Sequence, residues 1–214
     1  MRYKVGILGC GWLGKAAAEE LIQRNHTVKE SVTSFKGLRD LEHIAVEAFV
    51  IELKPQEVIE NLENFLLDLQ VLVIAVPPKF RQNNDQLLNA FKLIFDNYDF
   101  SHLEKLIYIS STGVFKDANA VTYDEDSKPN NTSKRGHNLI DLEEIITHQS
   151  QVTSYILRYG GLIKEGGRHP IHYLSGKTGV PNPGAPVNLI EQRDAVNLLC
   201  LIIESDLKLK TYHG

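Results

Sequence analysis

Three glycines near the start of the chain, Gly9, Gly11 and Gly14, are spaced Gly-x-Gly-x-x-Gly between an apolar run and a helical pattern. Gly9 permits a tight turn, Gly11 leaves room for an approaching phosphate, and Gly14 lets helix and strand pack closely. The helix then directs unpaired N–H groups and the positive end of its dipole at an anion. The spacing predicts a pyrophosphate site for a dinucleotide, and a glycine turn without a ligand is the alternative.

The tip of the predicted second strand, residues 26–32, bears on which dinucleotide would bind. An NAD site usually has an acid there, about 20 residues past the loop, for the ribose hydroxyls. Here the tip has Thr33 and Ser34 with Lys36 behind them, and Glu30 lies two residues too early, inside the strand. Hydroxyls and a cation suit a 2′-phosphate, so NADP is the expected cofactor and NAD the alternative. An ordinary turn with a surface lysine is the other interpretation.

The elements that must position these residues alternate along the chain. Strands are predicted at 4–8, 26–32, 45–52, 71–76, 105–110 and 152–158, and helices at 13–24, 55–69, 82–98, 133–148 and from near Asp194 onward. This alternation predicts an α/β fold, a doubly wound parallel sheet with helices on both faces. The Gly- and Pro-rich segment 160–190 is predicted to be a loop excursion on the substrate side.

Ligands of doubly wound sheets lie outside the carboxyl ends of the strands. Two groups of residues fall there: Val76, Pro77 and Pro78 after the fourth strand, and Ser110, Ser111 and Thr112 at the end of the fifth. The first group is a candidate cofactor wall. The second is a candidate functional cluster, for which an ordinary Ser/Thr turn is the alternative.

Composition limits the classes of function that the chain could have. With 214 residues, 43% hydrophobic and 23% charged, it is predicted to be a single globular domain, 1–214. A net charge of -4 without a basic block argues against nucleic acid. No apolar run approaches the ~20 residues that span a bilayer. No signal peptide precedes the first strand, and Cys10 and Cys200 lack metal-ligand spacing, so a cytoplasmic protein without a metal site is expected.

Six segments occur in an order known from one family. They are the glycine loop, residues 75–78 (Ala-Val-Pro-Pro), 109–115 (Ile-Ser-Ser-Thr-Gly-Val-Phe), 156–162 (Ile-Leu-Arg-Tyr-Gly-Gly-Leu), 167–170 (Gly-Arg-His-Pro) and 187–190 (Val-Asn-Leu-Ile) with Asp194. Together they resemble the NAD-dependent epimerase/dehydratase family of the extended short-chain dehydrogenase/reductase superfamily. The chain is most similar to an atypical branch with the loop Gly-x-Gly-Trp-Leu-Gly.

The resemblance implies a Rossmann-like sheet of about seven strands in the order 3-2-1-4-5-6-7. It places Ser111 or Thr112 at the position of the hydroxyl that orients the substrate. The branch's better-known members continue into a C-terminal substrate portion, which is expected to be reduced, missing or supplied by a partner here. The residues expected at the cofactor are Gly9, Gly11, Trp12, Leu13, Gly14, Thr33, Ser34, Lys36, Val76, Pro77, Pro78 and Ser110.

The catalytic pair of the family, Tyr-x-x-x-Lys on the helix after the fifth strand, is absent. Ser133 and His137 match its two positions. Serine is a poor proton donor without a base, which histidine could supply near neutral pH. A helix N-cap serine and a solvated histidine are the alternative. Tyr173 and Lys177 form a literal Tyr-x-x-x-Lys, but in the Gly-rich segment, where a chance match is expected.

Three further residues, Arg168, His169 and Asn188, are candidates for binding substrate. The Arg168 guanidinium could bind a phosphate or carboxylate, or Arg168 and His169 could be an ordinary surface pair. Arg158, at a strand end, could instead be the buried structural partner of an acid.

The preferred hypothesis is an NAD(P)-dependent oxidoreductase or epimerase-like enzyme with a small polar, sugar-like substrate. The first alternative is a catalytically silent NADP-binding module, a redox sensor or accessory subunit, which the missing tyrosine favours. The second is a hydroxyacid dehydrogenase-like reductase, which the Ser-Ser-Thr cluster argues against. A homodimer is left open.

Overall fold

A computed structural model describes residues 1–41, 44, 46–54, 61–76, 85–117, 121–164, 175–176, 179, 184 and 186–214 of the protein. The described elements are, in chain order, β1 (Lys4–Leu8), α1 (Trp12–Gln23), β2 (Thr27–Val32), α2 (Phe35–Arg39), β3 (Glu47–Val50), α3 (Leu62–Leu66), β4 (Val71–Ile74), α4 (Asp85–Asn97), β5 (Lys105–Ser111), a 3₁₀ turn (Thr112–Val114), α5 (Lys134–Thr147), β6 (Thr153–Tyr159), β7 (Gly161–Ile163), β8 (Leu189–Glu191), α6 (Gln192–Glu204) and β9 (Thr211–His213).

Seven of these strands form one parallel sheet in the order β3-β2-β1-β4-β5-β6-β9. The predicted sheet of about seven strands is confirmed. The seventh place is taken by β9, near the end of the chain. The order reverses between β1 and β4, so the carboxyl ends of these strands flank a crevice beside the glycine loop. Strands β7 and β8 form a separate two-stranded parallel sheet.

Helices cover both faces of the large sheet, as predicted. Helices α1 and α6 pack their apolar stripes on one face with the β1 side chains Val5 and Ile7. Helices α3, α4 and α5 pack on the other face around Leu72 and Leu106. The central strand β4 is buried along its whole length, which explains its uninterrupted apolar sequence. Among the described residues, no helix is long and apolar enough to cross a membrane.

Several predicted elements have different bounds in the structure. The helix expected at 55–69 is described only as Leu62–Leu66, since 55–60 lie outside the described residues. It ends there because Leu67, with ψ 128°, leaves the helical conformation, and Asp68 follows in a left-handed backbone with φ 59°. The sequence did not predict α2 or the 3₁₀ turn, each too short to show a helical period.

Two buried lysines tie strands to helix C-termini. The Lys29 ammonium donates to the carbonyl oxygens of Asn64 and Leu67 at 2.7 and 3.1 Å. The Lys105 ammonium donates to Ile202, Ile203 and Ser205 at 3.0, 2.8 and 2.9 Å. Burial lowers the pKa of both lysines. The carbonyl groups at a helix C-terminus lack intrahelical partners and carry partial negative charge. Each lysine therefore supplies the hydrogen-bond donors that these carbonyl groups lack.

Replacing Lys105 with methionine is expected to destabilise the fold by about 1–3 kcal/mol, because three carbonyl oxygens at the end of α6 lose their donor. Urea unfolding should show a lower midpoint with an unchanged slope. The control is Lys92→Met on the exposed side of α4. Equal midpoints for the two variants would contradict the assigned role of Lys105.

Candidate functional site

The glycine loop joins β1 to α1 at the carboxyl edge of the sheet. Gly9 has φ 105°, and a Cβ there would lie 3.0 Å from the backbone of Ala75 and Val76 on β4's exit. A Cβ on Gly14 would lie 2.8 Å from the Gly9 carbonyl oxygen. Both positions therefore require glycine for the loop's own geometry, whether or not a ligand is bound.

Gly11 differs from the other two glycines because the described residues place no steric constraint on it. Its backbone is extended, and a Cβ would meet none of them within 4 Å. It is the N-cap of α1, yet no side chain caps the helix, and the first turn contains no acidic residue. The N-terminus of α1 thus begins without a side-chain cap, next to Trp12 and buried Leu13. This is the arrangement that binds an anion at a helix N-terminus.

Strand β2 holds the loop in place through Ser31. The Gly9 N–H donates to Ser31 Oγ at 2.8 Å, and the Cys10 N–H donates to the Ser31 carbonyl at 2.7 Å. Sequence reasoning missed Ser31. A polar residue in a buried strand was the available signal, but its partner depends on the register between β1 and β2.

Glu30, the neighbour of Ser31, is completely buried. No described group reaches either carboxylate oxygen with hydrogen-bond geometry, and the Cys10 thiol, a weak donor, lies beside it. Burial raises the pKa of Glu30 to about 7. Burial and the Glu30 carboxyl together raise the pKa of the Cys10 thiol, so this cysteine is not an activated nucleophile.

At the tip of β2, the residues predicted to select NADP are exposed. Thr33, Ser34 and Lys36 all face solvent. Ser34 is also the N-cap of α2, where its hydroxyl accepts the Gly37 N–H at 3.3 Å. The hydroxyl therefore has the turn-forming role that was the alternative interpretation, while Lys36 extends from the same short helix.

The three hydroxyls at the end of β5 have different surroundings. Ser110 is buried and donates to the Glu143 carboxylate at 2.5 Å. Ser111 is half-buried, and its hydroxyl accepts the Gly113 N–H at 3.1 Å. Thr112 is half-buried at the start of the 3₁₀ turn. Ser111 and Thr112 are thus closer to solvent than Ser110, whose hydroxyl is committed to Glu143.

Behind these hydroxyls lies a buried ion pair. Arg158 of β6 donates through Nε and Nη2 to both oxygens of Glu143 on α5, with a shortest distance of 2.7 Å. The Arg158 guanidinium also lies over the Phe115 ring and 3.5 Å from the His213 imidazole. Of the two interpretations of Arg158, the structure supports the buried partner of an acid. Glu143 was not predicted as a functional residue.

The start of α5 is joined to the end of β5 by Asn131. Its amide donates to the carbonyls of Gly113 and Phe115 at 2.8 and 3.2 Å and accepts the Ser133 N–H at 3.0 Å. Ser133 is the N-cap of α5, accepting the Gly136 N–H at 3.1 Å. His137, on the first turn, is exposed. Asn131, which sequence reasoning missed, thereby connects the Ser111–Thr112 group to the Ser133–His137 group.

The substrate side is described only in part. Asn188 is exposed, and its carbonyl accepts the Gly161 N–H at 2.8 Å beside β7 and β8. Val76 is half-buried against Gly9. The remaining predicted residues, Pro77, Pro78, Arg168 and His169, lie outside the described part of the chain, as do Tyr173 and Lys177. The described residues contain no cluster of His, Cys, Asp and Glu that could hold a metal ion.

No family model matches the sequence. The chain is 29% identical over 204 residues to protein YeeZ of Escherichia coli K12, covering 94% of this chain and 73% of that protein. Its structure is similar to UDP-glucuronic acid 4-epimerase from Bacillus cereus in complex with UDP-glucuronic acid and NAD, with a TM-score of 0.76, 14% identity and coverage of 98% and 76%. It is also similar to a short-chain dehydrogenase/reductase superfamily protein from Agrobacterium tumefaciens with bound NAD, with a TM-score of 0.74, 14% identity and coverage of 99% and 77%.

These likenesses agree with the observed sheet order. At such low identity they establish the architecture. The family resemblance is confirmed at this level: the chain has the Rossmann-like fold of the NAD-dependent epimerase/dehydratase and short-chain dehydrogenase/reductase proteins.

Proposed function

We propose that the protein binds NAD(P) at the glycine loop and acts as an oxidoreductase or epimerase-like enzyme on a small polar, sugar-like substrate. One observation carries the proposal: no side chain caps the N-terminus of α1, and a Cβ on Gly11 would contact none of the described residues, so their packing does not require glycine there. A ligand that approaches the backbone closely accounts for both features.

The described residues fit a dinucleotide. The loop lies where β1 and β4 diverge, the usual place of the pyrophosphate in this fold. No acidic side chain occupies the first turn of α1 to compete for its N–H groups. When bound, NAD(P) supplies the hydride chemistry, and the protein needs to orient the substrate and move a proton.

Ser111 and Thr112 are the candidates for orienting the reacting oxygen of the substrate. Both are half-buried at the carboxyl end of β5, next to the strand that flanks the glycine loop. His137 is the candidate for moving the proton, since it is exposed on the helix that Asn131 joins to this strand end. Ser133 is the weaker candidate because its hydroxyl caps the helix.

A sugar-like substrate is supported by the Bacillus cereus epimerase, whose complex contains UDP-glucuronic acid. Arg168, His169 and Asn188 are proposed to contact such a substrate from the 160–190 excursion. The proposal treats residues 1–214 as one domain, located in the cytoplasm, with a homodimer as the assembly to test.

The NADP preference rests on the tip of β2. Lys36 is exposed there beside Thr33 and Ser34, and the nearest acid, Glu30, is buried inside the strand and does not reach the tip. A cation at this tip favours the 2′-phosphate over a free ribose diol.

A catalytically silent NADP-binding module is the second candidate function. It is favoured by the first turn of α5, where a serine that caps the helix stands in place of a tyrosine. Such a protein would bind the dinucleotide through the same loop and signal its redox state or assist another subunit.

Replacing Gly11 with aspartate is expected to abolish dinucleotide binding without destabilising the protein. Aspartate is a favoured N-cap, so the free energy of unfolding should stay within about 0.5 kcal/mol. Its carboxylate would occupy the space proposed for the phosphates and repel them. We therefore expect the affinity for NADP and for NAD to fall by about 100-fold or more. Calorimetric titration and urea unfolding measure the two effects.

Gly11→Asn is the matched control for charge, because asparagine has the same shape and also caps helices. We expect it to weaken binding less than aspartate does. Wild-type affinity in the aspartate variant would exclude the glycine loop as the site.

Replacing Lys36 with alanine should raise the Kd for NADP by about fivefold to tenfold and leave the Kd for NAD within about twofold. The loss is smaller than for a buried charge-assisted hydrogen bond because Lys36 is exposed. Side-by-side titration with the two cofactors measures the difference. Equal losses for NADP and NAD would remove the argument for a 2′-phosphate site at Lys36.

Replacing His137 with alanine should lower kcat by about 100-fold or more on any substrate that the wild type turns over, because proton transfer loses its donor. The assay is cofactor-dependent turnover on a panel of sugar nucleotides and short aldehydes. The control is His148→Ala at the opposite, exposed end of α5. Tight NADP binding without turnover across the panel would favour the silent module instead.

A further inference from the structure

Glu30 is an ionisable residue at a position where the described residues give an ionised carboxylate no hydrogen-bond partner. It is fully buried in β2, between Ile7 of β1 and Ala48 of β3. Among the described residues, neither carboxylate oxygen has a hydrogen-bond partner. A buried, unpaired charge of this kind costs several kcal/mol. The position therefore favours the neutral carboxyl. The packing of the fold alone does not explain why a glutamate, and not an apolar residue, occupies it.

The location of this carboxyl directly concerns the glycine loop. Cys10 lies beside it, and the adjacent Ser31 holds the loop through Gly9 and Cys10 at 2.8 and 2.7 Å. Glu30 is thus part of the surface on which the loop rests. Any charge that it acquires lies close to the N-terminal turn of α1.

Few charged groups could compensate for ionisation of Glu30. From the loop it faces the Cys10 thiol, and from α1 it faces Lys15, which attracts a carboxylate, and Glu19, which repels it. Its described neighbours on β1 and β3, Ile7 and Ala48, are apolar. Burial dominates, and the pKa is raised to about 7. Among the groups that would stabilise an ionised Glu30, the Cys10 thiol comes first and Lys15 second. The positive end of α1 and Lys15 would also attract a bound pyrophosphate.

We propose that Glu30 is a positioning residue of the dinucleotide site, which binds tightly only while the Glu30 carboxyl is neutral. The inference rests on the proposed function. Ionisation places a negative charge under the helix start that receives the phosphates, so the two anions oppose each other. By linkage, binding of a dinucleotide raises the proton affinity of Glu30, and the affinity of the protein for the dinucleotide falls as the pH rises through neutrality.

The test is calorimetric titration of the whole chain with NAD⁺, which has no 2′-phosphate to titrate, from about pH 5.5 to about pH 8.5. For the wild type we expect the Kd to rise by about fivefold or more across this range. In Glu30→Gln, which keeps the size of the side chain and cannot ionise, the Kd should stay within about twofold of the wild-type value at the acid end. Glu63→Gln, an exposed acid on α3 that is not among the charged groups facing Glu30, is the control and should retain the wild-type pH profile.

A second measurement needs no variant. Titrations of the wild type at about pH 7.5 in buffers of different ionisation enthalpy report whether protons are taken up on binding. Proton uptake that is present in the wild type and absent in Glu30→Gln supports the proposal. This comparison remains valid if the variant is less stable than the wild type. Glu30→Met offers a second neutral replacement of similar length if the glutamine variant folds poorly.

The outcomes separate this inference from the proposed function. Parallel pH profiles for the wild type and Glu30→Gln, or no proton uptake, would overturn the role of Glu30 and leave the dinucleotide site intact. If neither the wild type nor any variant bound NAD⁺ or NADP at any pH, the proposed function would be refuted, and the role of Glu30 with it.

Discussion

The exit of the chain from β1 is the constraint on which the rest of the structure depends. Gly9 turns the backbone at φ 105° against Ala75 and Val76, and its N–H is held by Ser31 Oγ. These contacts exist only when β1 lies between β2 and β4 in parallel register. The same pairing places the N-cap of α1 at Gly11, where no side chain caps the helix and a Cβ would contact none of the described residues. The pairing of β1 with β2 and β4 therefore determines both the central strand order and the position of the candidate anion site.

A second constraint shapes the opposite wall of the site. Arg158 and Glu143 join β6 to α5 in the interior, and Ser110 adds a third group from β5. Breaking such a buried pair leaves an uncompensated charge, so it holds the ends of these elements in one arrangement. Asn131 extends the arrangement to the first turn of α5. The hydroxyls of Ser111 and Thr112 are thus supported by a rigid polar frame rather than by a flexible loop.

The layers of the fold could be predicted from the sequence because buried strands and amphipathic helices have different apolar periods. The glycine spacing also located the loop, because the residues that form the loop are close together in the sequence. The residues that support the site could not be found this way. Ser31, Asn131 and Glu143 bind partners in other elements, 15 or more residues away in the sequence, and these partners depend on how the elements pack. Ser133 was ambiguous because a catalytic hydroxyl and an N-cap have the same sequence signature.

The cap at Ser133 bears directly on whether the fold supports catalysis. Its oxygen accepts the Gly136 N–H and lies at the end of a helix whose partial charge is positive. A tyrosine in its place would gain a lower pKa from that field, but serine ionises too weakly for the field to make it a useful acid. Proton transfer from α5 would therefore depend on the exposed His137, four residues further along the same face. If the histidine does not transfer protons, the first turn of α5, Lys134 to His137, offers no other side chain suited to general acid–base catalysis, and the binding loop would serve recognition alone.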